Sequence, residues 1–451
     1  GALVMETEVS LFIAARVGSP GRLLTEDDVD ELLLGFERAE RMELNPGQWA
    51  AVRLAAENKM AVIAGGAGVG KTTVLKALHL VYERADVQVL QLALTGRAAR
   101  RIAEATGRPA STIAGFLSRP QDDTSTSFGV VIVDESSMID LTIMARLCQR
   151  IPDDCRLVLV GDTGQLMPIG PGLVLHALVQ IPQVPKVELE APQRFGSEIA
   201  LAAKAVRQGQ WPELSNDAKT HVAFVPAVLR GRNADSEVGV PETVRHLFRD
   251  DPQNTQILCA TKGGPAGTER LNELCQAAMT SEAQLLTIWN EQHQAHAGTG
   301  FHLGDRVVCT RNLWARGLQN GSIGELVVIE DSPRERRDDS AGVTIGPVIA
   351  WIDWDDGVRR PVDEALLDDL ELAYAITVHK AQGSQWPRVL VPVGEGRSID
   401  RTLVYTAMTR ARRRVVFVGD EAAARGAVER TPRFKLRDIA LDRILAEQLS
   451  A

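Results

Sequence analysis

Gly65-Gly66-Ala67-Gly68-Val69-Gly70-Lys71-Thr72 is the stretch that decides the fold. It follows the apolar run 61–64 and opens a segment with helical spacing, so it fits the G-x-x-x-x-G-K-[ST] phosphate loop in a strand-to-helix setting. Glycines let backbone N–H groups close around phosphates, the helix N-terminus adds positive potential, and the lysine reaches the β- and γ-phosphates. Nucleotide contacts are therefore expected from Gly66, Gly68, Val69, Gly70, Lys71, Thr72 and Thr73, with the Thr72 hydroxyl on Mg2+.

Working outward, Val130-Val131-Ile132-Val133-Asp134-Glu135 ends an apolar strand in two adjacent carboxylates. Asp134 fits the Mg2+ partner of the loop, and Glu135 fits the group that polarises an attacking water. A small-molecule kinase needs no activated water, so the pair points to NTP hydrolysis. Leu159-Val160-Gly161-Asp162-Thr163-Gly164-Gln165 then places a strand, an acid and a glutamine directly after the acid pair.

The runs 61–64, 87–94, 130–133 and 157–160 are separated by helical patterns, which reads as a parallel sheet covered on both faces. A second set, 256–260, 389–393 and 415–418, makes two tandem α/β units the simplest fold. Within the second unit, 304–308, 324–328, 348–354 and 358–362 read as short strands and, with turn signals Asn320-Gly321 and Asp356-Gly357, predict a small all-β barrel inserted at about 313–365. The charged stretch 332–340 and the polar tract 121–127 read as loops. Residues 1–44 read as a helical segment in which Thr25 is an N-cap and Asp28 its third-position partner. The expected organisation is 1–44, a first α/β domain at 45–190, and a second at 191–451.

The length of 451 residues agrees, being too great for one ordinary domain. A composition of 45% hydrophobic and 24% charged residues excludes wholesale disorder and fibrous repeats. Fifty Lys and Arg against 59 Asp and Glu give −9, which does not exclude a nucleic-acid partner because binding responds to the local field of a groove. Five cysteines without a C-x-x-C pair argue against a disulfide framework or structural zinc and for a reducing, cytoplasmic setting. No apolar run of eighteen or more residues exists to span a membrane, and residues 5–17 lack the pattern of a signal peptide.

Taken together, the motifs resemble those of superfamily 1 helicases. Asp134-Glu135-Ser136 and the 159–169 stretch resemble motifs II and III, where the glutamine, here Gln165, senses the γ-phosphate. Asn45-Pro46-Gly47-Gln48 resembles the Q-motif, whose glutamine reads the adenine edge. The 93–100 stretch resembles motif Ia, a single-strand contact. Ala191-Pro192-Gln193-Arg194 resembles motif IV with an arginine finger. Residues 374–385 resemble motif V, and residues 404–412 resemble motif VI with a second finger, Arg410. The pairing of T-V-H-K-A-Q-G-S with Y-T-A-M-T-R-A is typical of the RecD-like branch, superfamily 1B.

The resemblance implies two RecA-like domains, an SH3-like identity for the barrel, ATP and Mg2+ as cofactors, and 5′ to 3′ translocation on single-stranded DNA. It implies a DNA helicase working in repair or recombination on single strands and tailed duplexes, alone or with other recombination and repair proteins. It carries over Gly383 and Gln385 as nucleotide contacts, with Gln385 standing where the family has glutamate. The strand contacts it points to are Thr95, Arg97, Asn312, Thr377 and His379. The span 112–129 is short for the strand-separating pin of such enzymes, so a reduced pin is expected. Two alternatives are an RNA-directed superfamily 1B helicase and a motor or regulatory subunit of a larger recombination complex. With only 4% aromatic residues, grip is expected to rest on phosphate contacts, with a steep salt dependence.

Overall fold

The computed structural model of the chain describes residues 1–119, 128–190, 198–228, 239–290, 292–338, 343–394, 399–437 and 439–450, with backbone alone for 332–338, 343–345 and 433. The apolar runs become six parallel strands: β1 Met60–Gly65, β2 Val89–Ala93, β3 Ala110–Thr112, β4 Val130–Asp134, β5 Arg156–Gly161 and β6 Lys186–Leu189. Their order is β3-β2-β4-β5-β1-β6. Alternate residues feed opposite faces. Val62, Val131, Val133, Leu157 and Leu159 join one apolar core, and Ala61, Ile63, Val130, Ile132, Val158 and Val160 join the other. A sheet buried on both sides explains the continuous apolar runs.

Helices α1 Ala2–Val17, α2 Glu26–Glu40, α3 Pro46–Glu57, α4 Lys71–Arg84 and α5 Gly96–Thr106 belong to this first unit. Thr25 caps α2 in a capping box with Asp28, as its sequence signature requires. Because β5 lies between β4 and β1, the loops after those three strands meet at the carboxyl edge of the sheet, where ligands of open α/β sheets bind.

The second unit holds two sheets. Strands β7 Val222–Pro226 and β8 Thr255–Cys259 precede the hairpin β9 Leu285–Asn290 and β10 Ala295–His302. Then follow β11 Arg306–Cys309, β12 Ile323–Asp338, β13 Val343–Trp354, β14 Arg359–Val362, β15 Leu370–Leu372, β16 Ala375–Thr377, β17 Trp386–Val393 and β18 Ala411–Gly419. A parallel sheet runs β16-β8-β17-β18-β7, and an antiparallel sheet runs β14-β13-β12-β11-β15. Both are described in the unit formed by 212–399 and 410–427.

Three expectations about boundaries differ from this architecture. The antiparallel sheet begins and ends outside 313–365, because β11 pairs with both β12 and β15 and places Val307 and Cys309 in the same core as Leu370. The stretch 332–340 is not a loop throughout, since β12 continues to Asp338 in register with β13. Main-chain pairing does not require apolar side chains, so a charged hairpin leaves no alternation to read. Finally, the first compact unit holds not only 1–211 but also 400–409 and 428–451. Helix Arg401–Met408 packs on helix Glu198–Gln208, and helix Leu441–Ser450 packs on α1. The tract 121–127 lies outside the described residues, while Thr112, at the start of the expected pin, caps the short helix Ile113–Ser118.

Candidate functional site

The phosphate loop joins β1 to α4. Gly68 and Gly70 adopt φ 77° and 87°, a left-handed backbone that glycine takes without cost and that turns successive N–H groups inward. The Lys71 ammonium folds back over the loop, its Nζ donating to the carbonyls of Gly65 at 2.7 Å and Gly66 at 2.8 Å. Thr72 is exposed in the first turn of α4. Gln48 differs from an adenine reader in its present bonding. Its Oε1 accepts from Asn45 N at 2.9 Å in a capping box, and its Nε2 donates to Val69 O at 3.3 Å. A Cβ on Gly70 would stand 2.1 Å from that Nε2, so the glutamine braces the loop from behind.

Asp134 and Glu135 end β4, both buried. Burial, and then the adjacent Glu135 charge, push the Asp134 carboxyl up to about 6, while Arg101 and Lys71 oppose the shift. Two carboxylates compressed in this way create a demand for a cation. Arg101 of α5 meets part of it, with Nη2 donating to Glu135 Oε1 at 2.9 Å and lying 3.8 Å from Asp134 Oδ2. Glu135 itself has φ 54°, rare for a residue with a side chain.

Gln165 follows β5 and is 3% exposed. Its Nε2 donates to Asp162 Oδ2 at 3.5 Å, and its buried Oε1 has no hydrogen-bond partner among the described residues. Buried amide oxygens rarely stay unpaired, so this acceptor has capacity for a donor beyond the described residues. Asp162 is fully buried and also accepts from Gly164 N at 2.9 Å and from the Tyr405 hydroxyl at 2.7 Å. That hydroxyl in turn accepts from Ala67 N at 3.0 Å, and Thr406 Oγ1 accepts from Leu166 N at 2.9 Å. Burial and then Asp162 raise the Tyr405 pKa, which keeps the hydroxyl a donor. Arg207 lies 3.7 Å from Asp162 and 2.9 Å from Glu188.

The structure thus brings Lys71, Thr72, Asp134, Glu135 and Gln165 to one edge of one sheet. Arg194 lies outside the described residues. Arg410 is 2% exposed in the second unit, with Nη1 3.5 Å from Ser384 O. Gly383, φ 79°, and exposed Gln385 lie on the turn after β16, in the same unit.

Of the candidate strand contacts, Thr95 and Arg97 stand together at the start of α5, where Thr95 Oγ1 accepts from Ala98 N as the N-cap. Thr377 ends β16 and half-buried His379 lies on the turn that follows, and Asn312 Oδ1 accepts from Asn320 N at 3.0 Å in a loop of the antiparallel sheet. Thr95 and Arg97 belong to the first unit and the other three to the second. Among the tryptophans, Trp354 is in the core, Trp351 Nε1 donates to Glu330, and Trp314 is exposed.

Comparison with known proteins gives this geometry a family. Residues 43–224 match the model of an AAA domain, and residues 372–418 match that of the UvrD-like helicase C-terminal domain. Over 435 residues the chain is 31% identical to RecBCD enzyme subunit RecD of Mycolicibacterium smegmatis, covering 85% of this chain and 72% of that one. The chain belongs to the RecD family. It is also 32% identical to the ATP-dependent RecD2 DNA helicase of Deinococcus radiodurans, of which it spans 50% of the length. Two solved Pif1 structures share the fold. A Pif1 helicase in a study of unwinding at forked DNA has TM-score 0.55 and 17% identity, and a Bacteroides Pif1 bound to single-stranded DNA has 0.51 and 19%. Each covers 88% of this chain and is itself 96% covered.

Several residues of this RecD-family site carried no role in the sequence reading. Tyr405 and Asp162 lay inside quoted motifs, but nothing in spacing says that a helix residue 338 positions from Ala67 meets the phosphate loop. Arg101 had a readable signal, since it follows Arg97 by four residues and so shares its helical face. The N-x-x-Q spacing of Asn45 and Gln48 is likewise a capping-box signature. No helix among the described residues is long and apolar enough to cross a membrane.

Proposed function

We propose that this RecD-family chain is an ATP-dependent DNA helicase that moves 5′ to 3′ along single-stranded DNA in repair or recombination. The observation that carries this reading is the convergence of the Lys71 loop, the Asp134–Glu135 pair and the open Gln165 acceptor after β1, β4 and β5. Lys71 and the loop amides bind the phosphates, Glu135 polarises water, and Gln165 orients it or senses the γ-phosphate. Thr72 and Asp134 fit Mg2+. Mg2+ is characteristically held by substrate phosphates together with one or two protein oxygens, which a hydroxyl and a carboxylate can supply. When bound, Mg2+ neutralises charge on the phosphates.

Arg194 and Arg410 are assigned to the transferring phosphoryl group, where an arginine contributes about 10³–10⁵ in rate. Gly383 and Gln385 are assigned to the nucleotide, and Thr95, Arg97, Asn312, Thr377 and His379 to strand phosphates. The domains at 45–190 and 191–451 are read as RecA-like, with the antiparallel sheet as an SH3-like insertion. Membership of a multi-subunit recombination enzyme is the second reading, favoured by the similarity to a RecBCD subunit. Unwinding of duplexes with a 5′ or a 3′ single-stranded tail tests the proposal. Unwinding from the 5′ tail alone supports it, and strand-stimulated hydrolysis without unwinding by the isolated chain moves the assignment to a subunit motor.

A further inference from the structure

Arg101 links two parts of the molecule that the proposed function treats separately. At one end of the link, Glu135 is 5% exposed, leaves β4 in a left-handed conformation that side chains rarely adopt, and accepts from Arg101 Nη2 at 2.9 Å. At the other, Arg101 rides on α5, whose N-cap is Thr95 and whose first turn carries Arg97, both candidate strand contacts. Arg97 and Arg101 are four residues apart and lie one helical turn from each other. A guanidinium donating to a carboxylate fixes its orientation and takes up one of the acceptor positions open to a water molecule. Arg101 therefore competes with water for Glu135 Oε1 and sets the direction in which the carboxylate points. Its side chain is 36% exposed, so it has solvent into which to withdraw.

We propose that Arg101 is a positioning residue that makes ATP hydrolysis depend on nucleic acid. Without a strand it restrains Glu135. A phosphodiester engaged by the N-terminal turn of α5 draws the guanidinium away, and the released carboxylate turns to the attacking water. This inference rests on the reading of Glu135 as the water-polarising group.

Steady-state ATP hydrolysis by the full chain, with and without an oligo-dT single strand, tests it in Arg101→Met, Arg101→Lys and Glu135→Gln. Loss of a hydrogen bond to a charged group, discounted for partial exposure, corresponds to about tenfold. Arg101→Met is expected to raise strand-free turnover about tenfold and lower the stimulation factor by the same amount, with the KM for ATP within about twofold. Arg101→Lys keeps the charge without the fork and falls between, which a merely structural arginine would not produce. Strand-free turnover at or below the parent's in a folded variant, or an unchanged stimulation factor, overturns the inference; if Arg101→Met does not fold, Arg101→Lys is judged by the same two results. Turnover surviving in Glu135→Gln would instead overturn the role of Glu135 itself.

Discussion

Tyr405→Phe removes one oxygen atom and leaves the buried ring in place. The lost hydroxyl donates to Asp162 Oδ2 at 2.7 Å and accepts from Ala67 N at 3.0 Å. Hydrogen bonds to charged groups contribute about 1.5–3 kcal/mol. Asp162 keeps Gly164 N at 2.9 Å, Gln165 Nε2 at 3.5 Å and Arg207 at 3.7 Å, and the half-buried Ala67 amide gains water, which places the net loss near the middle, about 2 kcal/mol. For a folding unit of 150–250 residues this lowers the melting temperature by about 4–8 °C. Because Asp162 also orients Gln165, kcat at saturating single strand is expected to fall about tenfold while the KM for ATP stays within about twofold. Thermal unfolding and steady-state hydrolysis, measured on parent, Tyr405→Phe, Asp162→Asn and the double variant, report both effects. Since the tyrosine acts through Asp162, the double variant should lose little more kcat than either single one. A melting temperature within about 1 °C of the parent's, together with unchanged kcat, would refute the reasoning from the buried carboxylate.

Gly70→Ala must place a methyl group 2.1 Å from Gln48 Nε2 at φ 87°. The left-handed backbone alone costs about 1–2 kcal/mol, so denaturant unfolding should show at least that loss and nucleotide affinity should fall with it; an unchanged midpoint contradicts the conformational demand placed on Gly70. His79 and His176 are held below their ordinary value by burial, so the unfolded chain binds more protons once pH falls below about 6.5. Stability is accordingly present above that pH and lost as pH drops toward 5, and the fall in melting temperature should be smaller in His176→Gln; equal falls would contradict the assignment.

How much of this was legible follows from what a one-dimensional pattern encodes. The phosphate loop, the acid pair and Gln165 are short-range signals, each fixed by a strand ending in a turn, and β1, β4 and β5 appeared where their apolar runs stood. The buried sheet made those runs conspicuous. The far edge of the antiparallel sheet was not legible because Leu370–Leu372 is only three residues long and its pairing with Arg306–Cys309 depends on contacts across more than sixty positions. The place of helix Arg401–Met408 in the first unit was invisible for the same reason. Its Tyr405 and Thr406 reach Asp162 and Leu166 only in the folded chain. Gln48 shows a different limit, since family resemblance gave it a ligand while local capping geometry gave it Asn45 and Val69.

The central claim is that the 65–72 loop, with Glu135 and Gln165 beside it, drives strand-dependent hydrolysis. Its most direct test is ATP turnover by the parent and by Lys71→Ala, with and without single-stranded DNA, alongside binding of the same strand. The account predicts stimulated turnover in the parent, none in Lys71→Ala, and equal strand binding by both. Strand-stimulated turnover surviving in Lys71→Ala would contradict it.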